Sequence, residues 1–144
     1  MRVSARSFAT LALLLCSSPV IAQPVPIQPG EYQVSSVTAA GSAEGVKPET
    51  ASRCIKSEDL ANPEAVFNNR FLVKFTPDPT CTVSNLSISA SKISYSTDCK
   101  YSMVRVDGTL TSSSYSVVRK AKPKGGVGPQ AETRLEGKRV GPCK

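Results

Sequence analysis

Histidine and tryptophan are both missing from this 144-residue chain, and each absence closes off chemistry. Without histidine the commonest general base is gone, as is the usual partner of a nucleophilic Ser or Cys and a principal ligand for transition metals. Without tryptophan, and with only four Phe and four Tyr, any core is thin in aromatics. Acidic residues are scarce beside basic ones, 11 Asp and Glu against 18 Lys and Arg. There is no Cys-x-x-Cys pair of the kind that redox-active and zinc sites use. The main apolar run, Phe8 to Leu15, falls far short of the roughly 20 residues that carry a helix across a bilayer.

That short run is informative through its position. Arg2 and Arg6 precede it, Ser17-Ser18-Pro19 breaks it, and Val20-Ile21-Ala22 presents a small residue at the end. These are the n-region, h-region and cleavage site of a secretory leader, with cleavage expected between Ala22 and Gln23. Residues 1–22 are thus read as signal peptide and 23–144 as the mature chain, its Gln23-Pro24-Val25-Pro26 start being a stiff, exposed lead-in. Lipidation of Cys16 would require a small residue just before it, and Leu15 stands there instead. With Arg2 and Arg6 removed, the formal charge drops from +7 to +5. Such a balance favours anionic surfaces in general, and in an exported protein nucleic acid is not among the expected ones. The address implied is periplasmic or extracellular.

The mature chain has the length of one domain. Pro29-Gly30 closes the lead-in, and Glu31-Tyr32-Gln33-Val34 opens an extended stretch. Residues 39–52, rich in Ala, Gly, Ser, Glu and Pro, read as a loop. Ser57 is placed to cap a short helix with Glu58 and Asp59 in its first turn, and Pro63 interrupts it before a second turn at Glu64-Ala65-Val66-Phe67. From Phe71 on, Ser, Thr, Val, Ile and Tyr dominate, and strands are expected near 71–76, 81–88, 92–99, 103–111, 114–122 and 131–140. Consecutive strands with short links favour a mainly β (α+β) fold: a curved antiparallel meander or a half-open barrel with one short helix region.

Outside the leader four cysteines remain, Cys54, Cys81, Cys99 and Cys143, an even number suited to two disulfides in an oxidising compartment. Four cysteines permit three connectivities. A hairpin turning at Ser89-Ala90-Ser91 would place Cys81 opposite Cys99, Val83 opposite Thr97, Asn85 opposite Tyr95 and Ser87 opposite Ile93. Directly opposed residues lie near the spacing a disulfide needs, so Cys81–Cys99 with Cys54–Cys143 is the preferred pairing. A single-residue slip or a bulge would break this register. Intervals of 27, 18 and 44 residues do not suit a zinc site, and neither metal nor cofactor is expected.

No catalytic set emerges. Ser89-Ala90-Ser91-Lys92 matches Ser-x-x-Lys, but on a turn rather than one helical turn apart, and the pattern arises by chance in a chain so rich in Ser and Lys. Glu58, Asp59 and Glu64 are explained by their place at helix starts. The sequence feature that points outward is Arg119, Lys120, Lys122 and Lys124, four cations within six residues leading into the 123–129 Pro/Gly loop. On an exposed strand end they would form a rim for an anionic ligand or an acidic protein face. The plainer reading is solvated charge on a strand.

Taken in order, Pro29-Gly30-Glu31-Tyr32, Cys54-Ile55, the Cys81 and Cys99 pair, Val106-Asp107-Gly108-Thr109 and the closing Arg139-Val140-Gly141-Pro142-Cys143 resemble domain-of-unknown-function family 3617, a group of small exported Gram-negative proteins. Tyr32 stands where Trp is frequent in that family. The resemblance implies a β-rich exported domain and supplies no catalytic residue. The expectation is a non-enzymatic binding module, with Tyr32, Tyr95 and Tyr115 either in the core or in contact with a ligand on the concave face. An alternative is an inhibitor of a cell-wall hydrolase of the lysozyme-inhibitor kind, using the 123–129 loop. An enzyme of unknown type ranks third.

Overall fold

The computed structural model describes residues 24–40, 48–68, 78–126 and 128–144. The leader, Cys16, the Ala22–Gln23 cleavage point and the strand expected over 71–76 lie outside these residues. In chain order the elements are β1 (Gly30–Ala40), β2 (Glu49–Ile55), a 3-10 turn (Asp59–Ala61), α1 (Pro63–Phe67), β3 (Thr82–Ile88), β4 (Lys92–Asp98), β5 (Ser102–Leu110), β6 (Ser114–Pro123) and β7 (Ala131–Gly141). Every pairing is antiparallel, and the seven strands form one sheet in the order β2-β1-β7-β6-β5-β4-β3. Strands β3 to β7 are the expected meander. Among the described residues the sheet is nevertheless open and uncurled, with β2 and β3 as its edges, so the half-open barrel is not the form adopted. Its apolar face is covered by α1 and by the segment before β1, which buries the core without closure.

Side-chain alternation explains which face that is. Tyr32, Val34 and Ser36 on β1, Ile93, Tyr95 and Thr97 on β4, Val104, Val106 and Leu110 on β5, Tyr115, Val117 and Arg119 on β6, and Thr133 and Leu135 on β7 all point to one side and are buried. The residues between them face solvent, as a period of two requires. Each large apolar side chain removed from water here contributes roughly 1.5–3 kcal/mol before entropy is counted. The lead-in belongs to this core as well. Pro24 and Pro26 are exposed, but Val25 and Ile27 are buried, Val25 N donates to Leu60 O at 2.9 Å, and Gln28 N donates to Ser112 O at 2.8 Å. The lead-in expected to be exposed is instead an edge of the hydrophobic layer.

Aromatic packing ties α1 to the sheet. The Phe67 ring meets Tyr115 edge-on at 5.1 Å between centroids, and Tyr32 lies 5.9 Å from Tyr115 on the other side. Tyr115 fits because residue 137 on the neighbouring strand has no side chain: a Cβ on Gly137 would lie 2.3 Å from ring carbons of Tyr115.

Three local expectations are corrected. Residues 49–52 are the first half of β2, not loop, and β2 pairs with β1 along its full length. Ser57 caps nothing with its side chain; Asn62 is the true cap, its Oδ1 accepting from Glu64 N at 3.0 Å. Pro63 does end the first helical piece as expected, and it opens the second, α1, because the first helical position needs no N–H donor. The β3–β4 register holds for Val83 with Thr97 but then shifts, giving Ser87 with Ser94 and Ile88 with Ile93. Asn85 takes a left-handed backbone (φ 53°) inside this bulge, so Asn85–Tyr95 and Ser87–Ile93 are not partners.

Both disulfides join the expected residues. Cys81 and Cys99 close the open end of the β3–β4 hairpin, on the unshifted side of the bulge. Cys54 on edge strand β2 is bonded to Cys143 just past β7, spanning 89 residues of chain.

Candidate functional site

Two groups of polar side chains stand out, one inside and one outside. The inner group centres on Arg119. Its position in β6 follows Tyr115 and Val117 in the inward alternation, so the guanidinium enters the core face beneath α1. There it grips Glu64 with both branches, Nη1 to Oε1 at 2.9 Å and Nη2 to Oε2 at 3.2 Å. Nη1 also donates to Phe67 O at 2.9 Å and reaches the Tyr95 hydroxyl at 3.4 Å, while Thr97 Oγ1 donates to Glu64 Oε1 at 3.1 Å. Burial pulls the guanidinium toward neutrality, yet the Glu64 carboxylate and Tyr95 more than offset it, and Arg119 is held above its ordinary value. Burial, reinforced by Glu64, pushes the Tyr95 phenol well up. A second arginine, Arg53 on β2, donates to Val66 O at 3.1 Å and to Ala65 O, satisfying the carbonyl end of α1. Among the described residues no buried side-chain polar atom lacks a partner.

Arg119 therefore does not belong to the anionic-ligand rim expected from sequence. Lys120, Lys122 and Lys124 do remain exposed, but Arg119 alternates inward and is consumed by Glu64. Tyr32, Tyr95 and Tyr115 are likewise buried in the core and present no ring to a ligand. The missed inner residue was Glu64. Its signal was the Asn62-Pro63-Glu64 helix start, which fixes where the carboxylate projects.

The outer group forms at one end of the solvent-facing side, where the β4–β5 turn (99–101) and the β6–β7 connection (124–130) are neighbours. Lys124 N donates to Tyr101 O at 2.9 Å, locking the two turns together. Lys122 stands across the strand pair from Met103, and Lys120 from Arg105. Three of the cations are neutralised locally: Arg105 by Asp107 at 2.8 Å, Lys120 by Glu132 at 3.8 Å, and Lys124 by Asp98. Lys100 and Lys122 have no acidic partner among the described residues. Lys100 Nζ sits 5.0 Å from the centroid of the Tyr101 ring. Tyr101 and Met103 are 74% and 50% exposed, unusual for their size on this face. Sequence reading passed over Lys100, Tyr101 and Met103. The available signal was phase, because Met103 falls between the inward positions of β5 while being as apolar as Val104.

Farther along the same face a groove of about 460 Å³ is lined by residues including Gln33, Ser35, Leu110, Ser114, Tyr115 and Lys138. Among the described residues no three His, Cys, Asp or Glu side chains gather as a metal site would require, and no helix is long and apolar enough to cross a membrane.

The arrangement defines a class: a single antiparallel sheet with a short helix on one face, stapled by two disulfides. A family model described as "Protein of unknown function (DUF3617)" matches residues 27–143. The chain belongs to that family. No curated protein and no solved structure matches it.

Proposed function

We propose that this protein is a non-catalytic binding module that works outside the cytoplasm and holds an anionic partner at the basic end of its solvent-facing sheet. The supporting observation is the separation of roles among its polar groups. The acid, phenol and guanidinium that could carry chemistry are occupied with one another inside, whereas Lys100, Lys122 and Lys124 stand together at two adjoining turns. Two uncompensated lysines beside three salt-bridged cations give that end a positive field suited to a phosphate-, sulfate- or carboxylate-rich surface. Two disulfides and the leader favour an oxidising compartment.

A soluble polyanion tests the binding site. Immobilised heparin should retain the oxidised mature chain and release it as salt rises. The charge reversals Lys100→Glu and Lys122→Glu together should weaken retention by about tenfold, and Lys138→Glu, at the far groove, should leave it nearly unchanged. Equal loss from all three substitutions would reduce the effect to net charge and reject a localised site. Mass spectrometry of protein recovered from the export compartment, starting at Gln23, tests the address.

A further inference from the structure

Uncompensated lysines alone suit any polyanion, but the same end of the sheet carries something a soluble polyanion has no use for. Tyr101 and Met103 project two apolar surfaces into water, at 74% and 50% exposure, between Lys100 on one side and Lys122 on the strand beside them. In the adjoining turn the two residues that follow Lys124 are glycines. Gly125 and Gly126 carry no side chain, and a Cβ at either would meet nothing within 4 Å. The β4–β5 turn that carries Tyr101 follows directly on the disulfide-bonded Cys99, and the hydrogen bond from Lys124 N to Tyr101 O holds it against the second turn. The apolar tip is therefore displayed by a braced scaffold.

We propose that the β4–β5 turn and the strand ends beside it dock the protein peripherally on an anionic lipid surface, Tyr101 and Met103 entering the headgroup boundary while Lys100 and Lys122 meet lipid phosphates. The chemistry matches on both counts. Tyrosine, with an apolar ring and a polar tip, favours the membrane interface, and methionine adapts its shape to an irregular apolar layer. Lysines beside an apolar tip can bury their stems and keep their ammonium groups at phosphate level. The Lys100 ammonium is already stationed over the Tyr101 ring. This rests on the reading of that end as an anion-binding surface and narrows the partner to a bilayer.

The absence of tryptophan makes the test site-specific, because Tyr101→Trp installs the chain's sole indole. Emission from this variant should shift to the blue on vesicles containing roughly one-third phosphatidylglycerol, and not on phosphatidylcholine alone. Brominated lipid should quench it. Co-sedimentation of the tryptophan-free protein should show about tenfold weaker binding to the anionic vesicles for Tyr101→Ser with Met103→Ser, and a similar loss for Lys100→Glu with Lys122→Glu. Both pairs are on the surface, and far-UV circular dichroism checks that they leave the sheet intact. Retention on heparin without binding to vesicles overturns lipid docking and leaves the anion-binding reading standing. Failure on both removes the two together. Vesicle binding that depends on the lysines but ignores Tyr101 and Met103 also overturns the proposal, because it reduces the contact to charge alone.

Discussion

Glu64 and Arg119 are 55 residues apart in sequence and 2.9 Å apart in the fold, and this bidentate pair fastens α1 to the centre of the sheet. Both side chains are nearly buried, at 15% and 10% exposure. Removing one member leaves a charge stranded in the core, so Glu64→Ala should lower unfolding free energy by about 3–5 kcal/mol, measured by urea denaturation. Adding Arg119→Met to that variant should recover much of the loss. No recovery would mean that the pair's worth lies in shape rather than in charge.

High pH attacks a different part of the core. Burial raises the phenols of Tyr32 and Tyr95, and pushes Tyr115 up to about 12. A raised phenol stays protonated in the fold after the unfolded chain has lost its proton, so the unfolded state binds fewer protons and stability falls with pH. The contribution is intact below about pH 10 and is lost as pH climbs through the folded value near 12. Tyr115 alone should cost about 1.4 kcal/mol per pH unit in that window. Tyrosinate absorbance from these three residues should therefore rise together with loss of ellipticity, not before it.

The two disulfides should differ in value. In the chain-entropy model, Cys54–Cys143 contributes about 4–5 kcal/mol, and Cys81–Cys99, closing a shorter loop, about 3 kcal/mol. Replacing each pair with serine and comparing thermal midpoints should show the larger fall for the long-range pair. Peptide mapping without reduction should recover each pair intact, with no Cys54–Cys81 species.

Gly137 offers a steric test away from charge. Gly137→Val places branched carbons inside the Tyr115 ring position and should destabilise by about 1–3 kcal/mol or more, read from the denaturation midpoint. A second change, Tyr115→Ala, removes the obstacle; if it does not relieve the valine, the packing described here is wrong.

Much of the framework was legible in the sequence because it depends on local alternation and on covalent chemistry. The five C-terminal strands, the Ser89-Ala90-Ser91 turn and the Cys81–Cys99 pair come from signals within short windows, and Cys54–Cys143 follows as the pair that remains. The half-buried strand β2 was hidden because its inward positions are Ala51, Arg53 and Ile55, and an arginine in the middle reads as solvent-facing. Arg53 points inward to satisfy the carbonyl end of α1, a demand visible only once helix and strand are stacked. Arg119 was misplaced for the same reason. A run of cations looks like one surface, yet strand geometry sends alternate members to opposite faces, and only Glu64 makes the inward one tolerable. The Asn85 bulge was anticipated as a risk and not located, although Asn takes a left-handed backbone more readily than its neighbours Ser84, Leu86 and Ser87 and so marked the position. The outer cluster at Tyr101 and Met103 depends on two turns meeting, which no single window contains.

The displaced residue at Asn85 also bears on how this sheet ends. Among the described residues strand β3 is an outer border, and its hydrogen-bonding groups would otherwise invite a strand from another molecule to continue the ladder. A left-handed kink in the middle of seven residues interrupts the regular spacing such a guest would need. The opposite border, β2, is clipped by Cys54 to the segment beyond β7, which limits its freedom to fray and recruit. Fibril growth by edge addition is thereby discouraged at both margins.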